Sequence, residues 1–318
     1  MEYRFCGNSG LKLPILSLGL WHNFGEIDDY ENSRQMICLA FEKGITHFDL
    51  ANNYGPPPGS AETTFGKVLR NDLSAYRDQM IISSKAGHRM WDGPYGDGGS
   101  RKMIIASINQ SLKRTGLDYF DIFYSHRYDP ETPLEETMLA LVDIVRQGKA
   151  LYIGLSKYPY EIAKQAFAIL KAEKVPCLIY QDRYHMFERK IESQMLGLTK
   201  KEGTGFISFS PLAQGILTDK YLSGIPQSSR AAKESGFLKA EQITPEVIEK
   251  VKALNEIAKL RNQSLAQMAL AWCLRPEQMT SVIIGTSSPK QLLDNLKATD
   301  NLTFSVDEYL QIDKILTN

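Results

Sequence analysis

Four residues in the first half of the chain carry the side chains needed to move a proton onto a carbonyl oxygen: Asp49, Tyr54, Lys85 and His126. Asp49, Lys85 and His126 lie at the ends of short apolar runs, "THFDL", "MIISSK" and "YFDIFYSH", and Tyr54 follows Asp49 in "FDLANNYGPPPGSAE". A lysine that finishes an apolar strand is costly to bury without a partner, and Asp49 is the natural one. An ammonium beside a phenol favours phenolate, so Lys85 is expected to lower the Tyr54 pKa from about 10 toward working pH. Tyr54 then acts as general acid, while His126 donates a hydrogen bond that orients the carbonyl. The consecutive prolines fix backbone angles around Tyr54, and Ser60 is expected to cap the next helix. Taken singly, these residues have plainer uses, as a structural ion pair or a packed histidine. Their common position is what argues for chemistry.

That position depends on the elements. Apolar, β-branched runs alternate with helical patterns along the whole chain, which predicts parallel strands joined by crossover helices. The strands are "ILSLGL", "THFDL", "MIISSK", "YFDIFYSH", "LYIGLS", "CLIYQ", "FISFS" and "SVIIG". Helices fill 32–43, 60–70, 101–115, 133–147, 159–173, 189–200, 245–261 and 289–297, with additions near 264–274 and 306–316. In the fourth of these, Thr132 and Glu135 form a capping-box pattern around Pro133, and Gly148 marks the end. Strand and helix repeated in this way without a linker have the dimensions of one α/β domain over 1–318, a (β/α)8 TIM barrel. A doubly wound open sheet is the rival reading. In the barrel, the strand-end residues converge on the C-terminal rim. The long stretches 87–100 and 212–243 follow strands and overhang the same face.

Composition narrows the function classes. The chain has 318 residues, 43% of them apolar, so a large core is within reach. Lys plus Arg and Asp plus Glu both number 37, and no dense run of one sign occurs, which argues against nucleic acid or an anionic membrane as partner. Cys6, Cys38, Cys177 and Cys273 are far apart, so neither a disulfide framework nor a zinc site is expected, and a reducing cytoplasm suits them. His22, His47, His88, His126 and His185 show no metal-ligand spacing, so no metal is expected. Neither a signal peptide nor a membrane span is visible. A soluble, cytoplasmic protein acting on a small molecule is the expectation.

Six stretches, "FDLANNYGPPPGSAE", "IISSKAG", "FYSH", "YIGLSK", "FSPLAQGILTDKYLSGIP" and "VIIGTSSPKQLLDN", resemble successive motifs of the aldo-keto reductase superfamily over nearly the whole chain. Within it, "SLGLWHNFG", "GPYGDGGSRK" and "LAQGILTDKYLSGIPQSSR" are similar to the bacterial L-glyceraldehyde 3-phosphate reductases, and the potassium-channel beta subunits are more distant relatives. The resemblance implies a (β/α)8 barrel that moves hydride from a nicotinamide cofactor to an aldehyde or ketone. Its Asp, Tyr, Lys and His tetrad maps onto Asp49, Tyr54, Lys85 and His126.

No G-x-G-x-x-G occurs, so a Rossmann turn is not available. The family instead binds its cofactor extended across the barrel mouth, and NADPH is the expected form. On this basis Ser156 and Gln181 offer hydrogen bonds to the carboxamide, and Phe209, with Trp21 nearby, presents an aromatic face. Ser210, Leu212 and Gln214 follow the pyrophosphate segment, with Lys220 and Arg230 as charge partners. Gly285 and Thr286 begin a turn into a helix N-terminus, Ser287 and Gln291 hold the 2′-phosphate end, and Asp294 and Asn295 lie near adenine. The plainer reading of that last segment is an ordinary helix capped by Ser288 before Pro289. Many relatives have Asn where this chain has Lys157, either turned away from the site or adding positive charge beside it.

For the substrate, Trp21, Tyr54, His88, Trp91, His126 and Arg127 are the candidate lining, with His88 or Arg127 able to attract a phosphate. Loop packing and surface charge are the alternatives for Trp21, His88, Trp91 and Arg127. The favoured function is NADPH-dependent reduction of small carbonyls, L-glyceraldehyde 3-phosphate first and methylglyoxal-like compounds next. The alternative is a redox-sensing regulatory subunit with slow chemistry, like the channel beta subunits. A metal hydrolase or lyase on the same barrel is a third reading. Helices outside the barrel are candidate contacts for a homo-oligomer.

Overall fold

The computed structural model describes residues 1–222, 224, 238 and 240–317. Arg230 and much of the long 212–243 segment lie outside the described residues. A short antiparallel hairpin, β1 (Tyr3–Phe5) and β2 (Lys12–Pro14), comes first. Eight parallel strands follow: β3 (Leu16–Gly19), β4 (His47–Asp49), β5 (Ile81–Ala86), β6 (Phe120–Ser125), β7 (Ala150–Ser156), β8 (Cys177–Arg183), β9 (Gly205–Phe209) and β10 (Met279–Ile284). They pair in sequence order, and β10 closes onto β3. The structure is therefore the expected barrel, and closure excludes the open doubly wound sheet.

Around the barrel run α1 (Tyr30–Glu42), α2 (Ser60–Val68), α3 (Arg101–Thr115), α4 (Leu134–Arg146), α5 (Tyr160–Ala172), α6 (Met195–Glu202), α7 (Pro245–Leu260), α8 (Leu265–Cys273), α9 (Pro289–Leu296) and α10 (Val306–Thr317). None is long and apolar enough to cross a membrane among the described residues. Two expected caps form differently. At α4, Pro133 is the N-cap residue, and the Thr132 hydroxyl donates to Asp129 instead of closing a box with Glu135. At α2 the N-cap is Gly59 in the left-handed region at φ 89°, and Ser60 is the first helical residue. The predicted helix at 189–200 is a 3-10 turn (Lys190–Glu192) followed by α6.

Strand side chains alternate faces, so each barrel strand sorts its residues into two environments. Leu16, Leu18, Phe48, Ile82, Phe123, Ile153, Leu155, Tyr180 and Phe206 point outward into the continuous apolar layer beneath the helices. Phe48 meets Phe65 of α2 there, with ring centroids 5.3 Å apart. Ile122, Tyr124, Ile179, Ile207 and Ile283 form a second cluster inside the barrel, joined by Cys6 and Leu13. The hairpin thereby covers the N-terminal mouth, tied down by Arg4 donating to the carbonyls of Leu274 and Met279. What the apolar cluster leaves of the interior is polar: Ser17, His47, Asp49, Ser83, Lys85, Ser156 and Gln181, all buried.

Candidate active site

Asp49 ends β4 and Lys85 is the penultimate residue of β5, so both project into the upper interior. Lys85 Nζ donates to Asp49 Oδ2 at 2.7 Å and to the Leu50 carbonyl at 2.5 Å, with its side chain fully buried. Burial lowers the Lys85 pKa, and the adjacent Asp49 carboxylate opposes that shift. Asp49 Oδ1 accepts from the Ser83 hydroxyl at 2.9 Å and from Gln181 Nε2 at 3.2 Å. Both carboxylate oxygens are therefore held. Gln181, expected to face the carboxamide, donates one amide hydrogen to Asp49.

The chain leaves β4 through a loop with cis peptides at Gly55–Pro56 and Pro56–Pro57. The Tyr54 carbonyl accepts from the amides of Gly59 and Ala61, and the Tyr54 amide donates to the Ala51 carbonyl, so the loop folds back on this residue. The Tyr54 ring centroid lies 5.0 Å from Lys85 Nζ, 5.9 Å from the His126 ring and 6.3 Å from Trp21. The structure thus brings together all four tetrad residues and one aromatic candidate. The expected effect of Lys85 on the phenol is corrected, however. Burial, followed by repulsion from Asp49, pushes the Tyr54 pKa well above its ordinary value. The phenol therefore keeps its proton, chiefly because burial disfavours the charged form.

His126 follows β6, and its amide donates to the Ala86 carbonyl. Burial, with the positive charges of Lys85 and Lys157 behind it, holds the ring's pKa well below 6.5, so it is neutral. His88 packs edge-on against it with centroids 4.5 Å apart and is itself lowered to about 4, first by burial. Arg127 donates to the Gly87 carbonyl and pairs with Asp97 at 2.8 Å, which pins the 87–100 loop to the rim. Trp91 is half-buried on that loop.

Farther round the rim, Ser156 ends β7 and Phe209 ends β9, whose ring carries the Arg183 guanidinium at 5.8 Å. Ser210, Ala213 and Gln214 then take left-handed φ values of 55°, 47° and 59°, a tight reversal that L-residues adopt only under constraint. Leu212 lies within it, and Lys220 is exposed farther along. After β10 comes Gly285, exposed, then buried Thr286. The amide and hydroxyl of Ser287 both donate to Gln291 Oε1, and Asp294 accepts from Gln267. Ser288 accepts from the Gln291 amide and Pro289 opens α9, so the plain capped-helix reading holds alongside any ligand role.

Among the described residues, the buried polar atoms Ser156 Oγ, Gln214 Oε1 and Asn295 Nδ2 have no hydrogen-bond partner. Such atoms normally find one. They sit at the end of β7, after β9 and on α9, and as unsatisfied polar atoms near the C-terminal rim they are suited to meet the polar groups of a nicotinamide cofactor. A model of the Aldo/keto reductase family matches residues 15–317. The chain belongs to this family. It is 53% identical over 320 aligned positions to L-glyceraldehyde 3-phosphate reductase of Escherichia coli strain K12, covering 99% of this chain and 92% of that protein. The same figures hold for the L-glyceraldehyde 3-phosphate reductase of Escherichia coli O157:H7. As an aldo/keto reductase the protein is an oxidoreductase of the carbonyl and alcohol couple, and no group of three His, Cys, Asp or Glu residues suited to a metal occurs among the described residues.

Two elements of the site were not singled out by sequence reasoning. One is Asn23, at φ 70°, whose side chain donates to the Thr286 carbonyl at 2.8 Å and so links the first and last rim loops. The second is a hydrogen-bonded row beneath Asp49: Ser281, Ser17, His47 and Ser83, with distances of 2.6, 2.8 and 3.0 Å. The period-two pattern of "SLG", "HFD" and "ISSK" places Ser17, His47 and Ser83 on inward positions, a signal available in the sequence. Lys157, for which the sequence leaves two orientations open, has φ 56°, and its ammonium reaches His88 Nε2 at 3.0 Å, so it lies beside the site.

Proposed function

We propose that the protein reduces small aldehydes and ketones with NADPH, that L-glyceraldehyde 3-phosphate is the favoured substrate and that Tyr54 is the general acid. The observation that carries this reading is the buried Lys85–Asp49 pair at 2.7 Å, with the Tyr54 ring 5.0 Å from its ammonium and 5.9 Å from the His126 ring. A carbonyl oxygen received between Tyr54 and His126 meets a phenol that still holds its proton and an imidazole that stays neutral. When bound, the nicotinamide cofactor supplies the hydride. As negative charge develops on the oxygen, Tyr54 gives up its proton, and the Lys85 ammonium stabilises the phenolate left behind in a setting of low dielectric. Asp49 holds Lys85 in place, and Ser83 and Gln181 hold Asp49. Trp21 and Trp91 line the mouth and exclude water.

The name of the similar enzymes favours L-glyceraldehyde 3-phosphate, and the open rim also suits short reactive carbonyls such as methylglyoxal. Ser156, Phe209, Ser210, Leu212, Gln214 and the 285–295 segment are the proposed cofactor contacts, with Ser287 and Gln291 favouring the 2′-phosphate of NADPH. The free cysteines Cys6, Cys177 and Cys273, all buried, suit a reducing compartment such as the cytoplasm. The test is a titration with NADPH and separately NADH, followed by loss of nicotinamide absorbance on adding each aldehyde. Prompt oxidation is expected. Binding without turnover on any carbonyl would instead favour a redox-sensing role.

A further inference from the structure

Lys157 follows β7 at the rim, and its backbone is left-handed, which turns its side chain differently from the strand residues before it. Its amide donates to the Gln181 carbonyl, so the unusual backbone is fastened to the neighbouring strand. The side chain is half-buried and reaches across to His88. His88 in turn stacks edge-on against His126 of the tetrad. The ammonium therefore sits one imidazole beyond the place where the carbonyl is received.

The charges around it are unevenly answered. Asp49 answers Lys85, and Asp97 answers Arg127. Lys157 forms no ion pair among the described residues; the group its ammonium meets is an imidazole. Asp182 acts on it only through space, while Lys85, Arg127 and Arg183 repel it. A half-buried cation without a carboxylate is costly, and such a group is a ready anion site. Nε2 of neutral His88 accepts from the ammonium, so the ring proton lies on Nδ1 and the imidazole holds the ammonium in place.

We propose that Lys157, with His88, holds the anionic end of the substrate and makes the enzyme selective for short aldehydes that carry a phosphate on the carbon chain. The inference rests on the carbonyl-reductase reading for the identity of the reacting group. It goes further in assigning the phosphate to Lys157 and not to Arg127, whose guanidinium is already engaged by Asp97 and the Gly87 carbonyl. The carbonyl would be received at Tyr54 and His126 and the phosphate on the Lys157 side of His88, whose ring centroid is 4.5 Å from that of His126.

The experiment compares the wild type with Lys157→Met and Lys157→Arg. The ratio of kcat/KM for L-glyceraldehyde 3-phosphate to that for L-glyceraldehyde is measured for each. Removing the charge-assisted hydrogen bond in Lys157→Met should lower the ratio about 10- to 100-fold, mainly through KM, and Lys157→Arg should restore most of it. An unchanged ratio overturns the assignment, as does a parallel fall on both aldehydes with the ratio preserved, which would mark Lys157 as structural. Inorganic phosphate provides a readout independent of turnover. Calorimetry should detect it binding to the wild type and not to Lys157→Met, and equal binding to both overturns the proposal. If the wild type reduces no carbonyl, the reductase reading fails, while the phosphate titration still decides for or against Lys157.

Discussion

His47 Nε2 lies 3.0 Å from the Ser83 hydroxyl, and that hydroxyl donates to Asp49 Oδ1. The Ser83 proton being committed to the carboxylate, His47 must donate from Nε2, and its Nδ1 must accept from Ser17. Ser17 then accepts from Ser281. The row is a one-way chain of donors across β10, β3, β4 and β5 that ends on the carboxylate holding Lys85. Its direction requires a neutral imidazole, and burial provides one, lowering the His47 pKa to about 4.

A pH dependence of stability follows. The folded-state pKa lies below the ordinary value near 6.5, so between these values the unfolded chain binds the extra proton. Stability from His47 is complete above about pH 6.5 and is lost as pH falls toward about 4, with roughly 2 kcal/mol gone by pH 5. His88, His126 and His185 are displaced in the same direction, so the wild-type slope is a sum. His47→Gln should show a shallower loss than the wild type when urea unfolding is measured at pH 7 and pH 5. An identical slope would mean the buried imidazole does not carry this share.

The buried ion pair makes a separate prediction. Lys85→Met removes the cation that meets a carboxylate that is nearly fully enclosed. Breaking a buried pair from one side typically costs about 3–5 kcal/mol. The variant should unfold at clearly lower denaturant, and combining it with Asp49→Asn should recover part of the loss. Additive effects in that double-mutant cycle would deny that the two side chains act as a pair.

Tyr54→Phe isolates the proton. The substitution keeps the ring that packs between Lys85, His126 and Trp21 and removes only the hydroxyl. Turnover should fall about 10²- to 10⁴-fold, with NADPH affinity retained. Comparable turnover in the variant would transfer the acid role to another group.

The barrel is legible in the sequence because its signals are local: each apolar run is bounded by turn residues, and each helix repeats at its own period. Asp49, Lys85 and His126 are legible for the same reason, since a charged or titratable residue at the end of an apolar strand is anomalous within a few positions. The inward placing of Ser17, His47 and Ser83 is legible too, but their joining with Ser281 into one row is not, because serines and a histidine on separate strands look ordinary until the register sets them side by side. The Tyr54 shift runs opposite to the expectation because sequence gives neighbours and not burial, and here desolvation dominates, with Asp49 adding to it. The hairpin β1–β2 escapes sequence reading because strands of three residues leave almost no period to read.

Gly154 shows how closely the interior is fitted beneath the tetrad. It pairs with Tyr124 across β6 and β7, and a Cβ built on it would come within 2.3 Å of the Tyr124 ring. Tyr124 is fully buried, and its ring lies 5.6 Å from Lys85 Nζ. Gly154→Ala must push the ring toward the ammonium, so it should destabilise the fold by about 1–3 kcal/mol, the range of overpacked cores. It should also reduce kcat, although Gly154 touches no substrate. A variant with wild-type stability and turnover would show that the interior has room to yield.

The alkaline limb of the pH–rate profile separates Tyr54 from Lys157. Burial lowers the Lys157 pKa to about 8, with Lys85, Arg127 and Arg183 adding to the shift and Asp182 opposing it. His88, which faces the ammonium directly, is neutral throughout this range. The phenol of Tyr54, by contrast, is raised well above 10. Since kcat/KM reports groups of the free enzyme, L-glyceraldehyde 3-phosphate should lose kcat/KM as pH rises through about 8, when the ammonium that meets its phosphate deprotonates. L-glyceraldehyde should show no limb there, and Lys157→Met should abolish the limb for the phosphorylated aldehyde. A limb near pH 8 with both substrates would place the titration on the proton-transfer step and not on recognition of the anion.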